Sequence, residues 1–462
     1  MSATFQATGQ VAGGQERKTA RQAVAGTPAL RSRIWRRALG VALTAVKSTV
    51  KWVALALLAA LAAVPVAVSL RWGPTPRAAA LLLAAAWAAL LVLLVLGAVR
   101  RRSAWAQLTA ALGLVLLVPV TVVLSQATAY TPPITDAQGK VVPGSIATLE
   151  QVTLGGSEQW ISIRGRRTDD PVLLWLSGGP GGSQLATARH HLRGLEERFV
   201  VVVWEQPGAG KSYHAVPHAT LTPERYVADG HELVQYLRRR FGQEKVYLVG
   251  ESWGSALGIW LVQRHPELFH AFAGTGQMVA FLETDRLDYE FALRLARERG
   301  DAAKVAALER QGPPPYYGEG VAWKQAAYLL DGFAYMNADP AIAADGFDTV
   351  QDLLSPEYGL YDKANWARGV LDTLDVGYPQ LWAVDLRAQA PRLEVPVAFL
   401  IGRHDVNAPP ALAEEYYRLL EAPRKEWVWF ERSGHNPWVS ESERFVAVVA
   451  GTFLGEAAST RR

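Results

Sequence analysis

The chain has 462 residues, no cysteine, 47 Lys and Arg against 43 Asp and Glu, and 50% hydrophobic residues. That length exceeds one ordinary domain, and a chain without cysteine forms no disulfide and does no thiol chemistry. The net charge of +4 hides a division: residues 1–102 carry fourteen basic side chains and one acid, Glu16, whereas the other 360 carry 33 basic and 42 acidic ones. The basic excess therefore belongs to the first quarter and gives no argument for nucleic acid binding.

Residues 1–45, rich in Ala, Gly, Gln and Arg, read as a disordered basic tail. Three apolar stretches follow, Trp52–Leu70, Ala78–Val99 and Ala104–Leu124, within residues 46–126. Each runs about 20 residues without a charge, enough for a helix to cross a hydrocarbon core about 30 Å thick. Three in succession, separated by short basic loops, read as three transmembrane helices. A cleaved signal peptide does not fit, because about fifty residues precede the first stretch, more than a normal n-region holds. Nine basic residues from Arg17 to Lys51 precede the first stretch, Arg100–Arg102 follow the second, and only Arg71 and Arg77 lie between. The positive-inside rule then puts the N-terminus in the cytoplasm at the cell membrane, and three crossings leave the rest outside. The basic tail suits an anionic inner leaflet, so the bilayer is one expected partner.

Residues 127–144, with Pro132-Pro133, read as a linker. Ser145–Val152 and Gln159–Arg164 then alternate polar and apolar residues as an antiparallel pair would. Buried strands recur at Val172–Leu176, Phe199–Trp204, Val246–Val249, Ala271–Thr275, Val395–Ile401 and Trp427–Phe430, with helical patterns between them. This is the pattern of a mostly parallel sheet covered by helices on both faces, an α/β fold. The sheet-forming blocks are 145–280 and 393–462. Residues 281–392, too long for a loop, read as a helical cap whose aromatics, Tyr316, Tyr317, Trp323, Tyr328, Phe333, Tyr335 and Trp366, are available to line a pocket or to pack helices.

The motif that carries chemistry is Gly250-Glu251-Ser252-Trp253-Gly254, between a strand and a helix-like segment. A G-x-S-x-G turn there is the nucleophile elbow of the α/β-hydrolase fold. A serine hydroxyl is a poor nucleophile at neutral pH and needs a base, which in turn needs an acid to orient it. In this fold the order is Ser, acid, His. Downstream, one strand runs into Gly402-Arg403-His404-Asp405 and the next into Glu431-Arg432-Ser433-Gly434-His435. Asp405 is the expected acid and His435 the expected base; His404 precedes the acid and breaks the order. Acyl transfer also needs donors for the oxyanion. The N–H of Trp253, after the nucleophile, and that of Gly179, in the glycine-rich loop Ser177–Ser183, are the expected pair.

These motifs resemble those of the proline iminopeptidases and related serine aminopeptidases of the α/β-hydrolase superfamily. The correspondence runs through Ser177-Gly178-Gly179-Pro180-Gly181, Glu205 to Ser212, Gly250 to Ser255, Gly402 to Asp405 and Gly434-His435, and spans residues 145–455. Ser177 stands where the family has His, Glu205 where it has Asp, and Pro207 where it has Arg. Those groups buttress the loops beside the site, so the departures bear on substrate preference more than on reaction type. The resemblance implies a serine aminopeptidase releasing N-terminal residues, proline among them, from short peptides. It implies no cofactor and no metal, and amine-binding acids in the cap. Candidates there are Glu283, Asp285, Asp288 and Glu290, of which Asp285 and Asp288, three apart, share a helix face. An esterase or lipase on the same triad, or a non-catalytic binding protein, remains an alternative.

Two further patterns lead elsewhere and are set aside. Gly210-Lys211-Ser212 ends like a phosphate-binding loop, but the glycine required five positions earlier is Glu205, whose charge repels phosphate. The pairs His190-His191 and His214/His218 come with no cysteine and no carboxylates at ligand spacing.

Overall fold

The computed structural model describes residues 28–71, 73–99, 104–342 and 349–455. The chain falls into two compact units, one of residues up to 64 with 85–118, the other of residues 65–84 with 119–462. Three long helices, α1 (Pro28–Arg71), α2 (Arg77–Val99) and α3 (Ala104–Ala127), supply all the described residues of the first unit. They are long and apolar enough to cross a membrane. Within that unit the Trp87 Nε1–H donates to the Ala59 carbonyl at 3.0 Å, and Ala59, Ala62 and Leu114 form a small buried cluster. Leu57, Leu61, Val92, Leu93, Val115 and Leu116 stay exposed, the arrangement expected of helices whose solvent is lipid.

One expectation is corrected here. The stretch read as a disordered tail to residue 45 is helical from Pro28 onward. The reason is local: proline suits the first helical position, and the residues after it are mostly Ala, Leu and Arg, which favour helix. The Thr44 and Thr49 hydroxyls also bond back to the Gly40 and Ala45 carbonyls at 2.7 and 3.0 Å. Residues 1–27 of the tail and Arg100–Arg102 lie outside the described residues.

The second unit is built on an eight-stranded sheet in the order β1-β2-β4-β3-β5-β6-β7-β8. The strands are β1 (Ile146–Leu154), β2 (Ser157–Gly165), β3 (Val172–Leu176), β4 (Val200–Glu205), β5 (Val246–Glu251), β6 (Phe269–Thr275), β7 (Val397–Gly402) and β8 (Lys425–Phe430). The first two are antiparallel, β2 runs antiparallel to β4, and every later pair is parallel. Between the strands run α4 (Leu185–His191), α5 (Pro223–Phe241) and α6 (Trp253–Arg264). All five β3 residues and all six β4 residues are buried. Such continuous burial requires cover on both faces, which is why these strands read as apolar runs and not as alternating ones.

Between β6 and β7 stand the cap helices α7 (Phe281–Glu298), α8 (Ala302–Gln311), α9 (Val321–Ala338), α10 (Thr349–Leu353), α11 (Leu360–Gly377) and α12 (Leu386–Gln389). The chain closes with α13 (Pro410–Leu419) after β7, and α14 (Pro437–Ser440) and α15 (Ser442–Leu454) after β8.

The segment read as a linker is pinned near its start. The Tyr130 N–H donates to the Pro356 carbonyl at 3.1 Å, the Thr131 hydroxyl to Glu357 Oε1 at 3.0 Å, and the Arg164 guanidinium holds the Pro132 carbonyl. Just before it, the last turn of α3 meets the start of α11. Ser125 Oγ accepts from the Leu360 N–H at 3.0 Å, Gln126 Oε1 from the Tyr361 N–H at 3.1 Å, and Gln126 Nε2 donates to Asp362 Oδ1 at 2.8 Å. Side chains of an apolar helix thus cap a cap helix whose first N–H groups have no partner within it.

Candidate active site

Ser252 sits between the last residue of β5 and the first of α6, with φ 53° and ψ −121°. Among the described residues it is the only non-glycine with positive φ, a conformation held only where the surroundings over-determine it. Its N–H donates to the Thr275 carbonyl on the neighbouring strand at 3.0 Å, and its own carbonyl accepts from the Ser255 N–H at 2.8 Å. The flanking glycines are required by close approach. A Cβ on Gly250 would lie 2.2 Å from the Gly254 carbonyl oxygen, and one on Gly254 2.2 Å from that of Leu176.

Asp405 and His435 follow β7 and β8, whose parallel pairing brings the two loops together. His435 Nδ1 lies 2.9 Å from Asp405 Oδ2. A carboxylate only accepts, so in the neutral ring Nδ1 carries the proton and Nε2 is the acceptor nitrogen. The other carboxylate oxygen, Oδ1, accepts from the N–H groups of Asn407 and Ala408, each at 2.8 Å, which fixes the acid before it meets the imidazole. Both side chains are buried, and the edge of Phe333 faces the His435 ring at 6.0 Å between centroids.

Ser252 and His435 line one cavity of about 250 Å³, together with Gly178, Gly179, Glu251 and Trp253. Cap residues Phe281, Leu329, Phe333, Trp366, Val370 and Leu374 form its apolar walls. The two loops expected to supply oxyanion donors are tied to each other through Gln206. Its Oε1 accepts from Trp253 Nε1 at 2.9 Å and its Nε2 donates to the Ser177 carbonyl at 3.0 Å.

The four acids proposed for the cap separate. Glu283 reaches the surface and pairs with Arg387, and Glu290 is exposed. Asp285 and Asp288 do share a buried face of α7. Asp285 accepts from Tyr328, from Gln325 at 3.0 Å and from Tyr378 at 2.7 Å, and burial pushes its pKa up to about 6. Asp288 is buried with one carboxyl oxygen unpartnered, and burial drives its pKa well above the ordinary carboxylate range. None of the four is among the residues lining the cavity.

Of the patterns set aside, Lys211 binds Asp362 at 2.7 Å and stands over the Trp160 ring, His190 meets Asp352, and His214 stacks on Tyr361. Glu205 is fully buried beside Ser183 and Lys211, with one oxygen unpartnered, and burial pushes its pKa up to about 7.

Two lining residues carried no signal of their own in the sequence. Glu251 occupies the freely variable second position of the elbow motif, and Gln184, which donates to Glu251 Oε2 at 2.9 Å, stands beyond the glycine-rich loop in no motif.

Residues 171–312 match the α/β-hydrolase-fold family. The chain is similar to a probable aminopeptidase, YbaC, of Bacillus subtilis, at 31% identity over 313 residues, covering 65% of this chain and 94% of that protein. It is also similar to a proline iminopeptidase of Lactobacillus delbrueckii subsp. lactis, at 23% identity, covering 67% of this chain and 99% of that protein. Among solved structures, the proline iminopeptidase of Mycobacterium smegmatis aligns with a TM-score of 0.49 at 20% identity, over 67% of this chain and 98% of that one. A relative matched along nearly its whole length, on this sheet and with this elbow, makes the chain a member of the α/β-hydrolase family.

Proposed function

We propose that the protein is a membrane-anchored serine aminopeptidase that releases the N-terminal residue, proline among those accepted, from short peptides. The observation that carries the reading is the 2.9 Å contact of His435 Nδ1 with Asp405 Oδ2 beside a cavity that Ser252 and His435 line together. In this reading Ser252 Oγ attacks the scissile carbonyl carbon while His435 Nε2 takes its proton. Asp405 stabilises the imidazolium, and the N–H groups of Trp253 and Gly179 hold the oxyanion. Collapse breaks the C–N bond, His435 returns the proton to the leaving amine, and an acyl-enzyme remains on Ser252. Water, deprotonated by His435, then releases the amino acid.

Membrane anchorage is supported by the length and apolarity of the three helices. The charge distribution favours a cytoplasmic N-terminus and a hydrolase unit on the far side. The names of the relatives support a peptide over an ester as substrate, and the cap over the cavity supports a short one.

The test uses the full chain in detergent with aminoacyl amides bearing free and blocked N-termini, proline included, beside a short-chain ester. The expected outcome is amide cleavage that demands the free amine. Ester cleavage alone, indifferent to the amine, would instead make the protein a membrane-tethered esterase. Ser252→Ala is expected to lower kcat by on the order of 10⁶, and parent-like turnover by that variant would remove the mechanism.

A further inference from the structure

An aminopeptidase must hold a cation next to its nucleophile. The α-nitrogen of the residue being released is two bonds from the scissile carbon, about 2.5 Å away, and that carbon stands about 3 Å from the attacking oxygen. The anion that grips the ammonium therefore has to reach a point beside Ser252. The acids of α7 do not line the cavity. Glu283 is on the surface with Arg387, and Asp285 already accepts from three neutral donors.

Among the described residues, the cavity wall contains a single carboxylate, Glu251, and no Lys or Arg. It is 2% exposed. Gln184 Nε2 holds its Oε2 at 2.9 Å, while Oε1 faces His435 Nε2 at 3.6 Å. A Cβ on Gly178 would come within 2.3 Å of Glu251 Oε2 and 3.1 Å of Ser252 Cβ, so the carboxylate and the nucleophile border the same small space. Burial raises the Glu251 pKa, with His435 and Gln184 opposing. A cation delivered beside it offsets the desolvation of the charged form.

We propose that Glu251, one residue before the nucleophile, is the substrate-binding carboxylate that receives the α-ammonium group of the N-terminal residue. This rests on the aminopeptidase reading and names the group that makes the reaction exopeptidic. A primary ammonium and the secondary ammonium of proline both bring two or more N–H donors to that point. An internal peptide nitrogen brings no charge and at most one donor, so a longer chain threaded through the site leaves the buried carboxylate without a counter-charge.

The test is steady-state kinetics of the full chain in detergent on an aminoacyl anilide with a free amine, and on a short-chain ester without one. Glu251→Gln keeps the size and an acceptor for Gln184 but removes the charge. The expected result is that the ratio of kcat/KM for the free-amine substrate to kcat/KM for the ester falls by about 100-fold, chiefly through a raised KM for the free-amine substrate. Glu251→Asp, which keeps the charge but withdraws it by one methylene, is expected to fall between Gln and the parent, and it serves if the Gln variant does not fold. Labelling of Ser252 by a fluorophosphonate confirms that the elbow is intact in each variant. Equal losses on both substrates would show a structural role and overturn the proposal. So would a free-amine preference that survives Glu251→Gln, or one abolished by Asp288→Asn with Glu251 intact. A parent enzyme indifferent to the amine would overturn the aminopeptidase reading itself, a result distinct from any of these.

Discussion

Glu205 shows how burial sets the behaviour of a single side chain. Its pKa of about 7 against an ordinary 4.5 means that the folded protein holds a proton there which the unfolded chain has released. Below pH about 4.5 both states are protonated and the group is neutral in the balance. As pH rises through 4.5 to 7 the unfolded state is favoured, and above 7 the full penalty applies. Glu205→Gln cannot ionise, so its thermal midpoint is expected to match the parent near pH 4.5 and to exceed it increasingly toward pH 8. A constant offset across that range, measured by melts in detergent, would contradict the assignment. Single residues were also where the sequence was least legible. Ser252, Asp405 and His435 each stand at the end of an apolar run in a fixed order, so pattern alone was enough to propose them. The surroundings of Asp285 and Glu251 depend on side chains more than forty positions away, Tyr378 for the one and His435 for the other, and no local pattern encodes such a meeting.

Among the elements, the elbow admits the least change. Replacing Gly254 by Ala would set a methyl 2.2 Å from the Leu176 carbonyl oxygen, a backbone atom of a fully buried strand that cannot rotate away. The expected effect is a loss of about 3 kcal/mol, the upper part of the range for overpacking, read as a lowered melting temperature together with lost fluorophosphonate labelling. Helix α11 carries two duties along one axis. Its N-terminal N–H groups bond Ser125 and Gln126, and its middle turns present Trp366, Val370 and Leu374 to the cavity. Removing a helix cap costs about 1 kcal/mol, so Ser125→Ala with Gln126→Ala is expected to lower the melting temperature and to raise KM more than it lowers kcat. The strands were legible within a residue or two, because a buried strand of a parallel sheet is an uninterrupted apolar run and its neighbours are polar. The start of α1 was not. Its first turns are basic and carry no hydrophobic periodicity, and only helix propensity marks them.

For the whole molecule, the charge division makes a prediction about sidedness. The natural chain has no cysteine, so a single introduced thiol reports its own location. Gln138 is exposed in the turn after α3, and Gln138→Cys is expected to react with a membrane-impermeant maleimide on intact cells. Labelling only after the membrane is opened would reverse the proposed orientation. The division between an apolar first quarter and an acidic, strand-bearing remainder was plain from composition. What composition did not mark is the place where one part stops and the other begins. Hydropathy ends at the last turn of α3, but the hydrogen bonds of that turn belong to α11. A protease that cut after Ala127, or an attempt to make the hydrolase soluble by starting at Tyr130, would keep every proposed catalytic residue and remove two capping side chains from the helix that walls the pocket. The last turn of α3 is in that sense a component of the hydrolase fold, and its loss is expected to loosen the cavity wall without touching Ser252.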